Sequence, residues 1–340
     1  MEMSNNKVSG NKQKVQKFLK QNAIFIVLVV LILAIGVKDS SFLSLDVFKN
    51  ILIQSSTRVI IALGAAFIIL TGGADLSAGR MVGFSAVVSA SMLQSADYPN
   101  RFFPNLGQLN ILIPILVAVV IGMAVGAVNG FIVSRFEVPA FITTLGTMVI
   151  IYGANSLYFD LPPNNSQPIG GLRSDFSNLG TGSFLGIPYV VIIAAIITAI
   201  IYVVLNKTKL GKDIYAIGGN KEAAIVSGIN VKSSIMKLYM IAGTLYAIAG
   251  VLEAARTGGA TNNYGNGYEL DAIAACVVGG WSVSGGVGTV PGVIVGVLIF
   301  TVINYGLTFI GVGPYWQQII KGVIIVAAVA VDIRKYLRKK

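Results

Sequence analysis

Residues 110–134 read NILIPILVAVVIGMAVGAVNGFIVS, a run without one charged side chain. About 20 apolar residues, rising ~1.5 Å each along a helix, cross the roughly 30 Å hydrocarbon core of a bilayer. This run is long enough, and in lipid only a helix satisfies its own backbone hydrogen bonds. Gly122, Gly126 and Gly130 recur within it every fourth residue, so they share a helix face and let a second backbone approach. Gly288, Gly292 and Gly296 repeat the spacing. Asn129 lies near the first ridge and Asn304 near the second, which suggests two related halves.

Working outward, nine more apolar segments fall at about 20–37, 51–71, 80–95, 139–159, 188–206, 235–252, 270–284, 287–310 and 315–333. The segments at 80–95 and 270–284 are short and polar, so they are expected to be tilted, broken or re-entrant. The composition agrees with an all-α polytopic transmembrane bundle of about ten spans. Hydrophobic residues make up 55% of the chain and charged residues 11%, against about 25% charged in a soluble domain. Such a chain needs lipid as its main solvent.

The net charge of +11 follows the membrane topology, which excludes nucleic acid as its explanation. Lys7, Lys12, Lys14, Lys17 and Lys20 precede the first apolar run; Arg334, Lys335, Arg338, Lys339 and Lys340 close the chain. Lys207, Lys209, Lys212, Lys221 and Lys232 share one connection. On the other side this topology leaves only Lys38, Lys49, Arg101, Arg173 and Arg256, a positive-inside pattern. Both termini are expected in the cytoplasm, with basic tails at 1–19 and 334–340 around one membrane domain at 20–333. The first apolar run reads as an uncleaved helix. The external connection at 160–187 is rich in Pro, Gly, Asn and Ser and reads as either a structured cap or a linker. Cys276 is the one cysteine and histidine is absent. No internal disulfide can form, no metal cluster suggests itself, and the commonest proton shuttle is missing.

The connection at 207–234 contains Gly218-Gly219-Asn220-Lys221-Glu222-Ala223-Ala224-Ile225-Val226-Ser227-Gly228. Asn220 is a good N-cap, Glu222 suits the positive end of a helix dipole, and Gly228 can take the left-handed conformation that stops a helix. The pattern predicts a two-turn helix projecting from the membrane. Ala223 and Ala224 would give it a flat face for a groove on another protein. A capped surface helix without a partner is the plainer alternative.

Glu222-Ala223-Ala224 followed by Gly228 resembles the start of the EAA loop of ABC importer permeases; the family's later Ile-x-Leu-Pro is absent, and residues 237–240 read Lys-Leu-Tyr-Met. Gly73-Ala74-Asp75-Leu76-Ser77-Ala78-Gly79 resembles the GxDLSxG signature of the monosaccharide branch, which carries ribose, xylose, arabinose and galactosides. Pro139 to Thr147 resembles its P-F-I-T-T-L-G-T segment, with Ala140 inserted. Tyr268 to Gly280 and Gly313 to Gln317 are closest to galactose/methyl-galactoside permeases. The resemblance implies a non-catalytic inner-membrane subunit. Asn220, Glu222, Ala223, Ala224 and Gly228 would then couple it to a separate ATPase that binds ATP and Mg. A periplasmic sugar-binding protein and a second permease, an identical copy as first choice, would complete the complex. No G-x-x-x-x-G-K-[ST] sequence occurs, since Gly211-Lys212 is followed by Asp213, so no P-loop cradles a nucleotide here.

Ionisable groups in a bilayer pair or face water. Asp75 and Arg80 are expected to pair at a helix end, and Glu269 and Asp271 to cap the start of theirs. Arg58 is expected to find a carboxylate or a cavity, and Lys321 has no evident partner. Asn129, Thr143, Thr144, Asn304 and Tyr305 offer hydroxyl-binding groups for a sugar path. Tyr315 and Trp316 read as interfacial aromatics. The alternative is an ion-coupled secondary sugar transporter, with Asp75, Glu253, Glu269 and Asp271 carrying protons. An intramembrane enzyme lacks any recognisable catalytic cluster.

Overall fold

The computed structural model describes residues 23–337. The basic N-terminal segment with Lys7, Lys12, Lys14, Lys17 and Lys20, and the final Arg338, Lys339 and Lys340, lie outside the described residues. Long helices come first in the chain: α1 Ala23–Lys38, α2 Leu45–Leu70, α3 Ala78–Met92, α4 Leu112–Arg135 and α5 Ala140–Phe159. A connection with α6 Ser174–Thr181 and the strands β1 Ser183–Phe184 and β2 Ile187–Pro188 follows. Then come α7 Tyr189–Lys207, α8 Lys209–Gly219, α9 Lys221–Val226, α10 Val231–Thr257, α11 Tyr268–Val278, α12 Val290–Phe309 and α13 Pro314–Leu337.

Each of the ten apolar segments contains a helix among the described residues; the described part of α1 is shorter, and α2, α4, α5, α7, α10, α12 and α13 are long and apolar enough to cross a membrane. The two short segments are not. α3 has 15 residues and α11 has 11, giving about 22 and 16 Å of helix against roughly 30 Å of hydrocarbon. The span expected over 270–284 ends at Val278. Gly279-Gly280 closes it: Gly280 has φ +90°, its N–H donates to the Val277 carbonyl at 2.9 Å, and Trp281 N–H donates to the Cys276 carbonyl at 2.9 Å. This is a Schellman ending, which glycine permits and a β-carbon opposes.

The core lies along α2 and α10, whose small and branched side chains are buried on most sides. Gly122 meets the backbone of Gly243, Gly126 that of Tyr239 and Gly130 that of Met236, so the first glycine ridge seats α4 on α10. Gly292 and Gly296 seat α12 on Gly279 and Ala275, while Gly288 lies before that helix against the Trp281 ring.

The halves are related by a signal absent from the glycine spacing. α2 ends in Thr71-Gly72-Gly73-Ala74 and α10 in Thr257-Gly258-Gly259-Ala260. Gly72 and Gly258 take φ values of +77° and +74°. Each tetrapeptide leads by a coil into a short helix and then two long ones. The two runs point oppositely. Leu70 packs near Gly218, in the connection between α7 and α10, whereas Ala260 pairs with Ile169 in the 160–188 connection. The bundle thus has a Lys221 end and an Asp175 end. At the Asp175 end the 160–187 segment is a folded cap: Phe176 is fully buried, and Arg173 Nη1 donates to the Leu109 carbonyl at 2.6 Å.

Candidate functional site

At the Lys221 end, Asn220 caps α9 as its sequence dictates. Asn220 Oδ1 accepts from Ala223 N–H at 2.9 Å, Glu222 lies in the first turn, and Gly228 has φ +80°. The expected flat alanine face needs correction. Ala224 is 3% exposed and packs in a cluster with Ile217 and Val231, so it anchors α9 to its own chain. The outward surface holds Glu222, Ala223, Ile225 and Val226, with Val226 88% exposed. An aliphatic side chain so exposed, beside charged Lys221 and Glu222, marks a contact surface more than a solvated one.

α8 connects this knob to the membrane helices. Gly218, in its last turn, lies against the Leu70 carbonyl oxygen and Gly286 N, leaving no room for a β-carbon. Gly286 N–H donates to the Leu70 carbonyl at 2.8 Å, and Tyr215 Oη donates to the Gly288 carbonyl at 2.8 Å. Burial pushes the Tyr215 hydroxyl above its ordinary pKa, which keeps it a neutral donor. Asp332 of α13 accepts from Ser282 Oγ and Val283 N–H, each at 3.0 Å. The 281–289 turn is therefore held by α2, α8 and α13 together.

Deeper in the bundle, the first turns of α3 and α11 meet. Gly79 packs against the Glu269 carboxylate and the Gly265 carbonyl. The expected Asp75–Arg80 pair does not form. Asp75 Oδ1 accepts from Ser77 N–H at 2.9 Å and Ser77 Oγ at 2.6 Å, a local turn that occupies the carboxylate. Arg80 reaches instead to the 258–267 segment: Nη2 donates to Asn266 Oδ1 at 2.8 Å, and the guanidinium carbon is 4.3 Å from the centre of the Tyr152 ring.

Asp271 joins two cations. Arg58 Nη1 lies 2.8 Å and Lys321 Nζ 3.1 Å from its Oδ2. Arg58 also sits over the Tyr268 ring at 4.4 Å. Tyr268 Oη donates to Glu253 at 3.2 Å, and Glu253 accepts from Thr57 at 2.9 Å and Arg256 at 2.6 Å. Three acids considered as proton carriers, Asp75, Glu253 and Asp271, thus have partners, while Glu269 Oε2 has none among the described residues. Gly267 holds the N-cap position of α11, and Glu269 and Asp271 both lie in its first turn, where the helix dipole favours a carboxylate.

The five residues expected along a sugar path do not face one common space. Asn129, Thr143 and Thr144 are buried between helices. Thr147 Oγ1 donates to Asn129 Oδ1 at 2.6 Å, Asn129 Nδ2 donates to Ser77 Oγ at 3.1 Å, and Leu76 N–H donates to Thr144 Oγ1 at 3.0 Å. Asn129 and Thr144 thereby brace the Asp75 loop. Thr143 Oγ1 has no partner among the described residues. Asn304 lines a small cavity with Arg58, Tyr268 and Asp271. Tyr305 lies among Phe42 and Phe309. Tyr315 and Trp316 are exposed.

Broken helices meeting inside a helical membrane bundle, two inverted halves and a capped knob at one end define a transport permease. The chain belongs to the family described as "Branched-chain amino acid transport system / permease component", whose model matches residues 47–329. It is 55% identical over 333 residues to the galactose/methyl galactoside import permease protein MglC of Haemophilus influenzae, covering 97% of this chain and 98% of that one. The protein of that name from Escherichia coli K12 is 54% identical over 335 residues, covering 97% and 99%. The ribose import permease protein RbsC of the same strain is 37% identical over 336 residues, covering 98% and 100%. No solved structure matches the chain.

Proposed function

We propose that this chain is the membrane-spanning subunit of an ATP-binding-cassette importer that carries galactose or a methyl galactoside inward. The substrate reading rests on similarity along nearly the whole chain to two permeases named for those sugars. The mechanical reading rests on one observation: α9 is capped, braced from behind by Ala224, and presents Val226 outward. The Lys221 end is the cytoplasmic one, since the basic connection stands there. A separate ATPase with ATP and Mg docks on α9, its closure displaces α8, and the joint at Gly218 passes the motion to α2 and the 281–289 turn. A periplasmic binding protein delivers sugar at the Asp175 end.

A second copy of this chain supplies the other wall of the path. Arg58, Lys321 and Arg80 are partly exposed within the helical bundle. A charge facing lipid near the bilayer centre costs at least ~2.5 kcal/mol, so these groups face water or protein. Co-purification tests the docking step. The ATPase subunit should come down with the wild-type chain and be lost from the membrane-inserted Val226→Asp variant. Equal recovery with both would place the docking surface elsewhere.

A further inference from the structure

Where α3 and α11 begin, polar side chains reach a surface that α5 otherwise makes apolar. Arg80 is partly exposed, and Asn263, Asn266 and Tyr152 are exposed. They come from α3, the 258–267 segment and α5, and Arg80 holds them together through Asn266 Oδ1 at 2.8 Å, Asn263 Oδ1 at 3.5 Å and the Tyr152 ring. Each asparagine spends its oxygen on Arg80; among the described residues its Nδ2 has no partner. Behind them, Asn155 is 1% exposed, and its Nδ2 donates to the Asn262 carbonyl at 3.3 Å. Its Oδ1, like Glu269 Oε2, is buried without a partner among the described residues. Buried polar atoms seldom stay unpaired. The site therefore has amide donors facing outward and an aromatic ring at its edge, with two sealed oxygens, unpaired among the described residues, behind them.

We propose that Arg80, Asn263 and Asn266 form a sugar-hydroxyl contact in the translocation path, with Tyr152 facing the C–H surface of the ring. Free amide donors beside a guanidinium and an aromatic face suit a neutral polyhydroxylated ligand, whose hydroxyl oxygens accept. The contact is shallow and water-exposed, as transit requires. The site rests on the proposed function and names the residues that meet its substrate.

The test uses vesicles holding the permease, its ATPase and saturating loaded binding protein. Initial uptake per ATP hydrolysed is measured for galactose and each monodeoxygalactose. For Asn266→Ala and Asn263→Ala, galactose uptake should fall about five-fold, the scale of one lost hydrogen bond. At least one deoxy sugar should move at the wild-type rate in the variant, and Asn266→Gln should recover part of the loss. A loss by the same factor for every sugar would make these residues a brace for the 258–267 segment and overturn the proposal, as would no loss at all. Failure of the wild type to show ATP-dependent uptake would overturn the proposed function itself.

Discussion

Gly218 lies against the Leu70 carbonyl oxygen so closely that no β-carbon fits between α8 and the end of α2. The same carbonyl accepts from Gly286 N–H at 2.8 Å. Backbone packed on backbone transmits displacement with little slack, because interiors are close-packed and nearly incompressible. The end of α2 continues into the loop that carries Asp75 and Ser77, so movement at α8 reaches the start of α3.

Gly218→Val should therefore uncouple the transporter. We expect uptake to fall at least about ten-fold, since a misplaced joint of ~1 Å can cost that much in a positioned mechanism. Gly219→Ala is the control: nothing lies within 4 Å of its β-carbon position, so uptake should stay near wild type. ATP hydrolysis measured in the same vesicles separates uncoupling from loss of the ATPase.

On α9, Asn220→Ala removes the cap and should destabilise the helix by about 1 kcal/mol. Glu222→Lys puts a cation at the positive end of the dipole. Gly228→Glu forces a side chain into φ +80°, at roughly 1–2 kcal/mol. The Glu222→Lys and Gly228→Glu variants should insert normally, as judged by membrane fractionation, and transport little sugar.

Asp271→Ala leaves Arg58 and Lys321 without their shared carboxylate. Breaking a buried pair by removing one partner costs about 3–5 kcal/mol; partial exposure puts the loss here at the low end. Thermal denaturation in detergent should show a lower midpoint. Adding Lys321→Met to Asp271→Ala should restore part of it, because one stranded charge is gone.

Asn129→Ala removes the link between Thr147 and Ser77. Each hydroxyl keeps one partner, Thr147 Oγ1 the Thr143 carbonyl at 3.0 Å and Ser77 Oγ the Asp75 carboxylate at 2.6 Å, so the loss should be about 1 kcal/mol per broken bond. Asn129→Asp keeps an acceptor for Thr147 but buries a carboxylate without a cation, one hydroxyl away from Asp75, so its stability should fall below that of the alanine variant in the same denaturation assay.

The apolar runs and the capped α9 were legible because length, periodicity and capping are local properties. The short span at 270–284 stopped early for a local reason too, the Gly279-Gly280 ending. Partners of the membrane charges were not legible. Arg58 and Asp271 stand 213 residues apart in the chain, and nothing in either neighbourhood names the other. Asp75 and Arg80 misled because they are close in sequence. Ser77 is closer to the carboxylate, and the start of a helix turns Arg80 away toward Asn266. Ala224 could be placed on a small helix but not on its buried side, since Ile217 and Val231 lie in flanking helices. The inverted halves carried a readable mark in the paired Thr-Gly-Gly-Ala segments, which glycine spacing alone does not pick out.

The most direct test is uphill accumulation of labelled galactose in vesicles containing this chain, assayed with and without the ATPase subunit while loaded binding protein is held constant outside. Accumulation that requires both the ATPase and ATP inside the vesicle, and that vanishes with Gly228→Glu, is the predicted result. Accumulation by the permease alone, driven by a proton or sodium gradient, would contradict the account.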